Sequence, residues 1–236
     1  MRVVFIHGAF SRDGAWWWAP TAALFDRSGI ASTAVALPSC GEAGIAPTGA
    51  GPGLHEDAAA TTAVLDAGEP TIVVAHSYGG MVASQAGAHP AVQHLVYISS
   101  FLPAAGETLA ALGSGPDPVP VIPHVNGSVS VDADDAAAFD ARFLHDVTDP
   151  DLLRGAHDRL CAQSPAVFDA ETTTAAWERT PSTYLVCADE RSTDPNLQRA
   201  QAARASTTRE LPAGHFPFLS RPDLVAACIR AIAHRP

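Results

Sequence analysis

The chain has 236 residues, 47% of them hydrophobic and 17% charged, which supports a packed core and excludes a disordered chain. Its formal net charge is -11, from 14 basic against 25 acidic residues, with no Lys/Arg run, so neither nucleic acid nor a membrane surface is an expected partner. Cys40, Cys161, Cys187 and Cys228 form no C-x-x-C pair, which removes zinc knuckles, dithiol redox motifs and a disulfide framework and predicts reduced thiols.

The opening MRVVFIHG carries an apolar run over residues 3–6, long enough for a buried strand and too short for a signal peptide. No later stretch approaches a membrane span, and a cytoplasmic location is expected. The run ends in FIHGAF, a tight turn at the end of a strand. A helix is predicted over 16–28, a second strand over 33–37, and a second helix over 54–67. The third apolar run, 71–75, feeds directly into the sharpest feature of the chain, TIVVAHSYGGM.

That run places Ser77 between a buried strand and a helix predicted over 78–88, the arrangement of a nucleophile elbow. A serine capping a helix N-terminus is the common alternative for an isolated Ser. The strand before and the helix after favour the nucleophile. Small residues are needed two positions either side, where the backbone approaches its neighbours; Gly79 supplies one, and Ala75 stands where Gly is usual. An acyl-transfer serine also needs backbone N–H donors for the oxyanion. Tyr78, next to the serine, provides one; the turn after His7-Gly8 provides the other, through Ala9 or alternatively Phe10.

A strand over 95–98 follows, and then the alternation stops. Residues 101–181 begin with Pro- and Gly-rich segments (PAAGE, GSGPDPVPVIP) and become helix-like near 134–144 and 149–163. An interruption of this size predicts a cap (lid) insertion, 101–181, on a core of residues 1–100 and 182–236. The rhythm resumes with a strand over 184–187, a helix over 196–205, a weaker sixth strand over 207–211 and an amphipathic helix over 222–234. The whole predicts an α/β fold, a doubly wound, mostly parallel sheet of roughly six strands flanked by helices.

The strand over 184–187 stops at two adjacent carboxylates in YLVCADE, Asp189 and Glu190. Neighbouring side chains leave the backbone in different directions, so at most one can aim at a given partner. Ten histidines are present, and chain position singles out His215 in LPAGHFPFL, because the order Ser, acid, His belongs to this architecture. His7 and His76 are assigned structural places.

These motifs together resemble the α/β-hydrolase fold. More narrowly they are similar to the small esterase group of plant methylesterases of the salicylate-binding type, hydroxynitrile lyases and their bacterial relatives. HGAF with GAWWW, AHSYGGM, YISSFLP, TPSTYLVCADERSTDP, LQRAQAARA and AGHFPFLSRPDLVA carry the likeness, which spans most of the chain. It implies Ser77 as nucleophile, His215 as base and the N–H groups of Ala9 and Tyr78 as oxyanion hole. Relatives read C-T-E-D where this chain reads CADE, with the final Asp catalytic; register therefore favours Glu190 as the acid, with Asp189 as the alternative. Phe216 and Gly8 occupy places where the lyases of the group carry Lys and Thr, which argues against cyanohydrin cleavage. Ser rather than Asp at the elbow argues against dehalogenases and epoxide hydrolases.

The resulting expectation is a carboxylesterase-like serine hydrolase acting through an acyl-enzyme on a small, largely apolar ester, with no cofactor and no metal. Phe10, Trp16, Trp17, Phe101, Phe139, Phe143 and Phe168 are the expected pocket walls, and helix packing competes for the tryptophans. Thioesterase, lactonase or carbon–carbon bond hydrolase or lyase chemistry, and a ligand-binding receptor on the same scaffold, are the alternatives. Oligomeric state stays open, a homodimer included.

Overall fold

The computed structural model describes residues 1–26, 29–113 and 117–234. The end of the helix expected over 16–28 and part of the Pro/Gly-rich stretch after Leu112 fall on residues 27–28 and 114–116, outside the described residues.

Six strands form one sheet: β1 (Arg2–Ile6), β2 (Ser32–Ala34), β3 (Thr71–His76), β4 (Val92–Ile98), β7 (Ser182–Cys187) and β8 (Thr207–Leu211). β5 (Val121–Pro123) and β6 (Val129–Val131) make a separate antiparallel hairpin. The sheet order is β2-β1-β3-β4-β7-β8, and every pairing in it is parallel. β3 and β7 are buried along their full length. Parallel strands with both faces covered are near-continuous apolar runs for this reason.

Successive side chains alternate between two cores. Val3, Phe5, Ile72, Val74, Val96, Ile98 and Leu185 pack on one face of the sheet, among Trp18, Phe25, Val225 and Ile229 of the helices Gly14–Asp26 and Pro222–Ala233. Val4, Ile6, Val73, Ala75, Leu95, Tyr97 and Val186 pack on the other, among Leu54, Leu65, Met81 and Val82 of the helices Leu54–Leu65 and Gly79–Ala86. A period of two along each strand thus feeds two separate layers.

The edges explain the weaker sequence signals. β8 is exposed except at Leu211 and carries Arg209 and Glu210, charges suited to an unpaired edge. β2 is shorter than the run 33–37 because the chain turns away. Leu37 N–H donates to Glu42 Oε2 at 2.7 Å, and Pro38 follows with no N–H to offer. β4 and β7 pair directly, so residues 101–181 connect neighbouring strands. Among the described residues no helix is long and apolar enough to cross a membrane.

Candidate active site

Ser77 follows β3 with φ of 51°, in the left-handed region that costs a non-Gly residue of order 1–3 kcal/mol. The surroundings hold it there. Its N–H donates to the Ile98 carbonyl (3.2 Å), and its carbonyl accepts from Ser100 Oγ (2.7 Å) and from Gly80 N–H (3.0 Å). Gly79 lets the following helix close in, since a Cβ there would lie 2.7 Å from the carbonyl oxygens of both Ile6 and His7. Gly8 does the same for the turn after β1, where a Cβ would lie 3.0 Å from Ser77 Cβ and from His76 Nδ1. Ala75 is fully buried in β3 opposite Tyr97, where its methyl packs without displacing the turn.

His215 lies on the loop after β8 and is buried. Its ring is fixed edge-on against Phe143, Phe216 and His76, and its carbonyl accepts the Nε2–H of His76 at 2.9 Å. His215 Nδ1 meets Glu190 Oε2 at 2.7 Å. A carboxylate is an acceptor only, so this bond assigns the proton to Nδ1 and leaves Nε2 as the basic nitrogen.

Glu190 is 6% exposed and fully engaged. Oε2 also accepts from Ser99 Oγ (2.6 Å), and Oε1 accepts from the N–H groups of Arg191 (3.0 Å) and Ser192 (2.7 Å). Burial opposes ionising this carboxyl, but the charge and hydrogen bond of His215, with Ser99 and Ser192, outweigh it and hold it below the usual carboxylate range. Asp189 is exposed, and its backbone N–H bonds the Ala213 carbonyl at 3.1 Å. Of the two adjacent acids the structure brings Glu190, not Asp189, to the imidazole.

Ser77, His215, Gly8, Ala9, Phe10 and Tyr78 line one cavity of about 270 Å³. Phe10, Phe101, Phe139, Phe143 and Phe168 are among its walls, with Leu109, Val119, Val131, Leu160 and Phe216. Among the described residues no Asp, Glu, Lys or Arg lines it. Trp16 and Trp17 do not reach it. Trp17 is buried, stacked on Phe216 (4.9 Å between centroids), with Nε1–H on the Arg12 carbonyl. Trp16 lies against Gly155 and under the Arg159 guanidinium, 4.3 Å from its ring centroid. Both tryptophans serve packing.

The backbone donors separate as well. Phe10, at φ of 58°, gives its N–H to Gln163 Oε1 at 3.0 Å, so the alternative oxyanion donor is already committed. The N–H groups of Ala9 and Tyr78 have no hydrogen-bond acceptor among the described residues. The structure adds residues that the sequence did not single out. Ser99, itself at φ of 43°, reaches Glu190; it sits in YISSFLP at the end of β4, beside the strand that carries the acid. Asp146 Oδ2 accepts from Gly214 N–H and Ser220 Oγ, both at 2.7 Å, bracing the loop of His215 from within residues 101–181. Among the described residues no cluster of His, Cys, Asp and Glu is arranged to hold a metal ion. A hydroxyl on a strained turn, an imidazole with one nitrogen anchored on a buried carboxylate, and unpaired backbone donors around an apolar cavity are the parts acyl transfer requires.

The family model described as Alpha/beta hydrolase family matches residues 3–228. Alpha/beta hydrolase nvfD of Aspergillus novofumigatus (strain IBT 16806) is 29% identical over 183 residues, 71% of this chain and 72% of that protein. The crystal structure of a pyrethroid hydrolase from Sphingobium faniae JZ-2 superposes with a TM-score of 0.84 at 21% identity, covering 100% of this chain and 98% of that one. The methylesterase MES16 from Arabidopsis superposes with a TM-score of 0.77 at 19% identity, covering both chains completely. At these identities the structural likeness is one of fold.

Proposed function

The chain belongs to the alpha/beta hydrolase family, and from that premise we propose that it is a serine esterase cleaving a small, largely apolar carboxylic ester through an acyl-enzyme. The observation that carries this reading is the buried 2.7 Å bond between His215 Nδ1 and Glu190 Oε2, beside the same cavity as the strained Ser77. The hydrolase and methylesterase named among the structural neighbours point the same way. Ser77 Oγ attacks the ester carbonyl carbon as His215 Nε2 takes its proton. Glu190 keeps the imidazole in the productive tautomer and stabilises its charged form. The N–H groups of Ala9 and Tyr78 receive the negative oxygen of the tetrahedral intermediate. His215 returns the proton to the departing alcohol as the carbon–oxygen bond breaks. Water, deprotonated by the same nitrogen, then releases the acid and restores Ser77.

Residues 101–181 act as the cap in this reading, supplying Phe101, Phe139, Phe143 and Phe168 as walls. A cavity without charged walls favours neutral substrates, because an ion would lose its hydration without gaining a partner. All four cysteines are free, in keeping with a cytoplasmic setting. The test is hydrolysis of p-nitrophenyl acetate and butyrate by the unchanged protein and by Ser77→Ala. Turnover that Ser77→Ala lowers at least a thousandfold is the expected result; no turnover, or turnover that survives the change, rejects the proposal.

A further inference from the structure

The two proposed oxyanion donors, Ala9 and Tyr78, stand at the ends of different strands, after β1 and after β3. One continuous set of buried hydrogen bonds joins their surroundings. Tyr78 Oη donates to Asp57 Oδ2 (2.6 Å). Ser39 Oγ donates to the same oxygen (2.5 Å), and Ser39 N–H donates to Asp57 Oδ1 (2.9 Å). Gln163 Nε2 donates to Ser39 Oγ (3.0 Å), and Gln163 Oε1 accepts from Phe10 N–H (3.0 Å), one residue past Ala9. Asp57, Ser39 and Gln163 are 0% exposed, and Tyr78 1%.

The members come from separate parts of the chain. Asp57 lies on the helix Leu54–Leu65 and Ser39 on the turn Pro38–Cys40. Gln163 lies within residues 101–181, its backbone bonded in both directions to Val129. Each link satisfies a group that would otherwise be buried unpaired, so the set behaves as a unit. Asp57 accepts three of these bonds, the role of an ionised carboxylate. Burial pushes its pKa up, against the hydrogen bonds from Ser39 and Tyr78. At the other end Phe10 is held in a left-handed conformation, and its N–H, which would compete for the substrate oxygen, is drawn to Gln163.

We infer that Asp57, Ser39 and Gln163 are positioning residues that set the separation and direction of the Ala9 and Tyr78 N–H donors. This rests on the esterase reading above. It goes beyond it by making a polar bridge through residues 101–181 part of the oxyanion hole's alignment. A polar staple with no such role would affect stability alone. Alignment affects the step in which the oxyanion forms, and small misplacements of such groups cost rate at little cost in ground-state binding.

The experiment compares Ser39→Ala, Gln163→Met and their double variant with the unchanged protein on p-nitrophenyl butyrate. Tyr78→Phe, which removes only the phenol hydroxyl, serves as a third arm if Gln163→Met does not fold. Each is also titrated with an aryl trifluoromethyl ketone. Ser77 Oγ adds to the ketone carbon, its proton passes to His215, and the former carbonyl oxygen becomes an oxyanion in the hole. Expected is a kcat lower by about 10- to 100-fold with KM within about threefold, and ketone inhibition weakened by a similar factor. The double variant should lose little more than the worse single one, as members of one unit do. A lowered Tm with kcat within twofold of the unchanged protein would overturn the inference, as would a rise in KM alone or a double loss equal to the product of the singles. If the unchanged protein hydrolyses no ester, the esterase reading itself fails; if it does and the variants match it, only this inference fails.

Discussion

Glu190 and Asp189 are adjacent, equally charged in solution and opposite in setting. Glu190 folds back under the loop of His215 and takes hydrogen bonds from His215, Ser99, Arg191 and Ser192; Asp189 stays exposed. The glutamate carries one methylene more than the aspartate usual in the family it resembles, and so more freedom to misplace its carboxylate. Ser99 Oγ at 2.6 Å and the Ser192 N–H at 2.7 Å remove that freedom from opposite oxygens. Replacing Glu190 by Gln keeps the volume but leaves the imidazole without its anion. We expect Glu190→Gln to lower kcat by about 10²- to 10⁴-fold. Asp189→Asn should stay within about twofold, and steady-state kinetics on p-nitrophenyl butyrate checks both; a larger loss at Asp189 would reverse the assignment. Chain order narrowed the acid to two neighbours, and register against the C-T-E-D of the relatives favoured Glu190. What turns the Glu190 carboxylate to His215 is the turn after β7, which no period along the strand encodes.

The inner strands β3, β4 and β7 were legible because burial on both faces leaves an apolar run, and the helix Pro222–Ala233 because one-sided burial leaves a helical stripe. Residues 101–181 were legible only in part: the helix expected near 134–144 is present as Ala136–Phe139 continuing through Asp140–Leu144, and the rest was hidden for definable reasons. The β5–β6 hairpin has strands of only three residues set among prolines, too short for alternation to register, although Asn126-Gly127 marks its turn. The stretch expected to be helical over 149–163 is a helix only over Pro150–His157. Beyond it a turn at 158–159 ends the helix and the backbone finds partners elsewhere: Arg159 O accepts from Arg12 N–H, Cys161 N–H reaches Phe10 O, and Gln163 pairs with Val129. Long-range pairing of this kind leaves no local trace. It is also what ties this segment to the site, and Asp146 is its clearest fastening. Asp146→Ala would leave Gly214 N–H without its acceptor and Ser220 Oγ with only the 3.5 Å contact to the Phe216 carbonyl, at about 1–3 kcal/mol, or roughly 2–10 °C in Tm for a chain of this size. Because Gly214 precedes His215, kcat should fall while KM changes little. A thermal melt and initial rates measure the two effects, and a full loss of Tm with kcat intact would show that the contact is purely structural.

Besides Glu190 and His215, a part-buried pair, His7 with Glu42, joins several loops to the site's floor. Glu42 Oε2 takes His7 Nε2 at 2.8 Å and Leu37 N–H at 2.7 Å, while Oε1 takes Asp13 N–H at 2.8 Å. Burial opposes the charge on His7, but the Glu42 carboxylate and the Gly8 carbonyl outweigh it, and its pKa is pushed up from 6.5 to about 9. Glu42 is held below the usual carboxylate range, again against its burial, by His7 and the backbone donors. A raised histidine pKa stabilises the fold fully below 6.5 and loses that contribution as pH rises through about 9, here on the order of 3 kcal/mol. Glu42 works in the opposite sense, its contribution present above 4.5 and lost as pH falls through its lowered pKa. The Tm gap between the unchanged protein and Glu42→Gln should therefore be widest near pH 6 and narrow above pH 9; a gap constant across that range would remove the charged pair from the account. In the proposed mechanism these arrangements serve one reactive oxygen, Ser77 Oγ, and covalent trapping tests that proposal most directly. Treated with a p-nitrophenyl alkylphosphonate ester, the protein should gain one phosphonyl group per chain with release of one nitrophenolate, and peptide mass spectrometry should place it on Ser77. Labelling at another residue, or full esterase activity in the labelled protein, would contradict the assignment of Ser77 as the nucleophile.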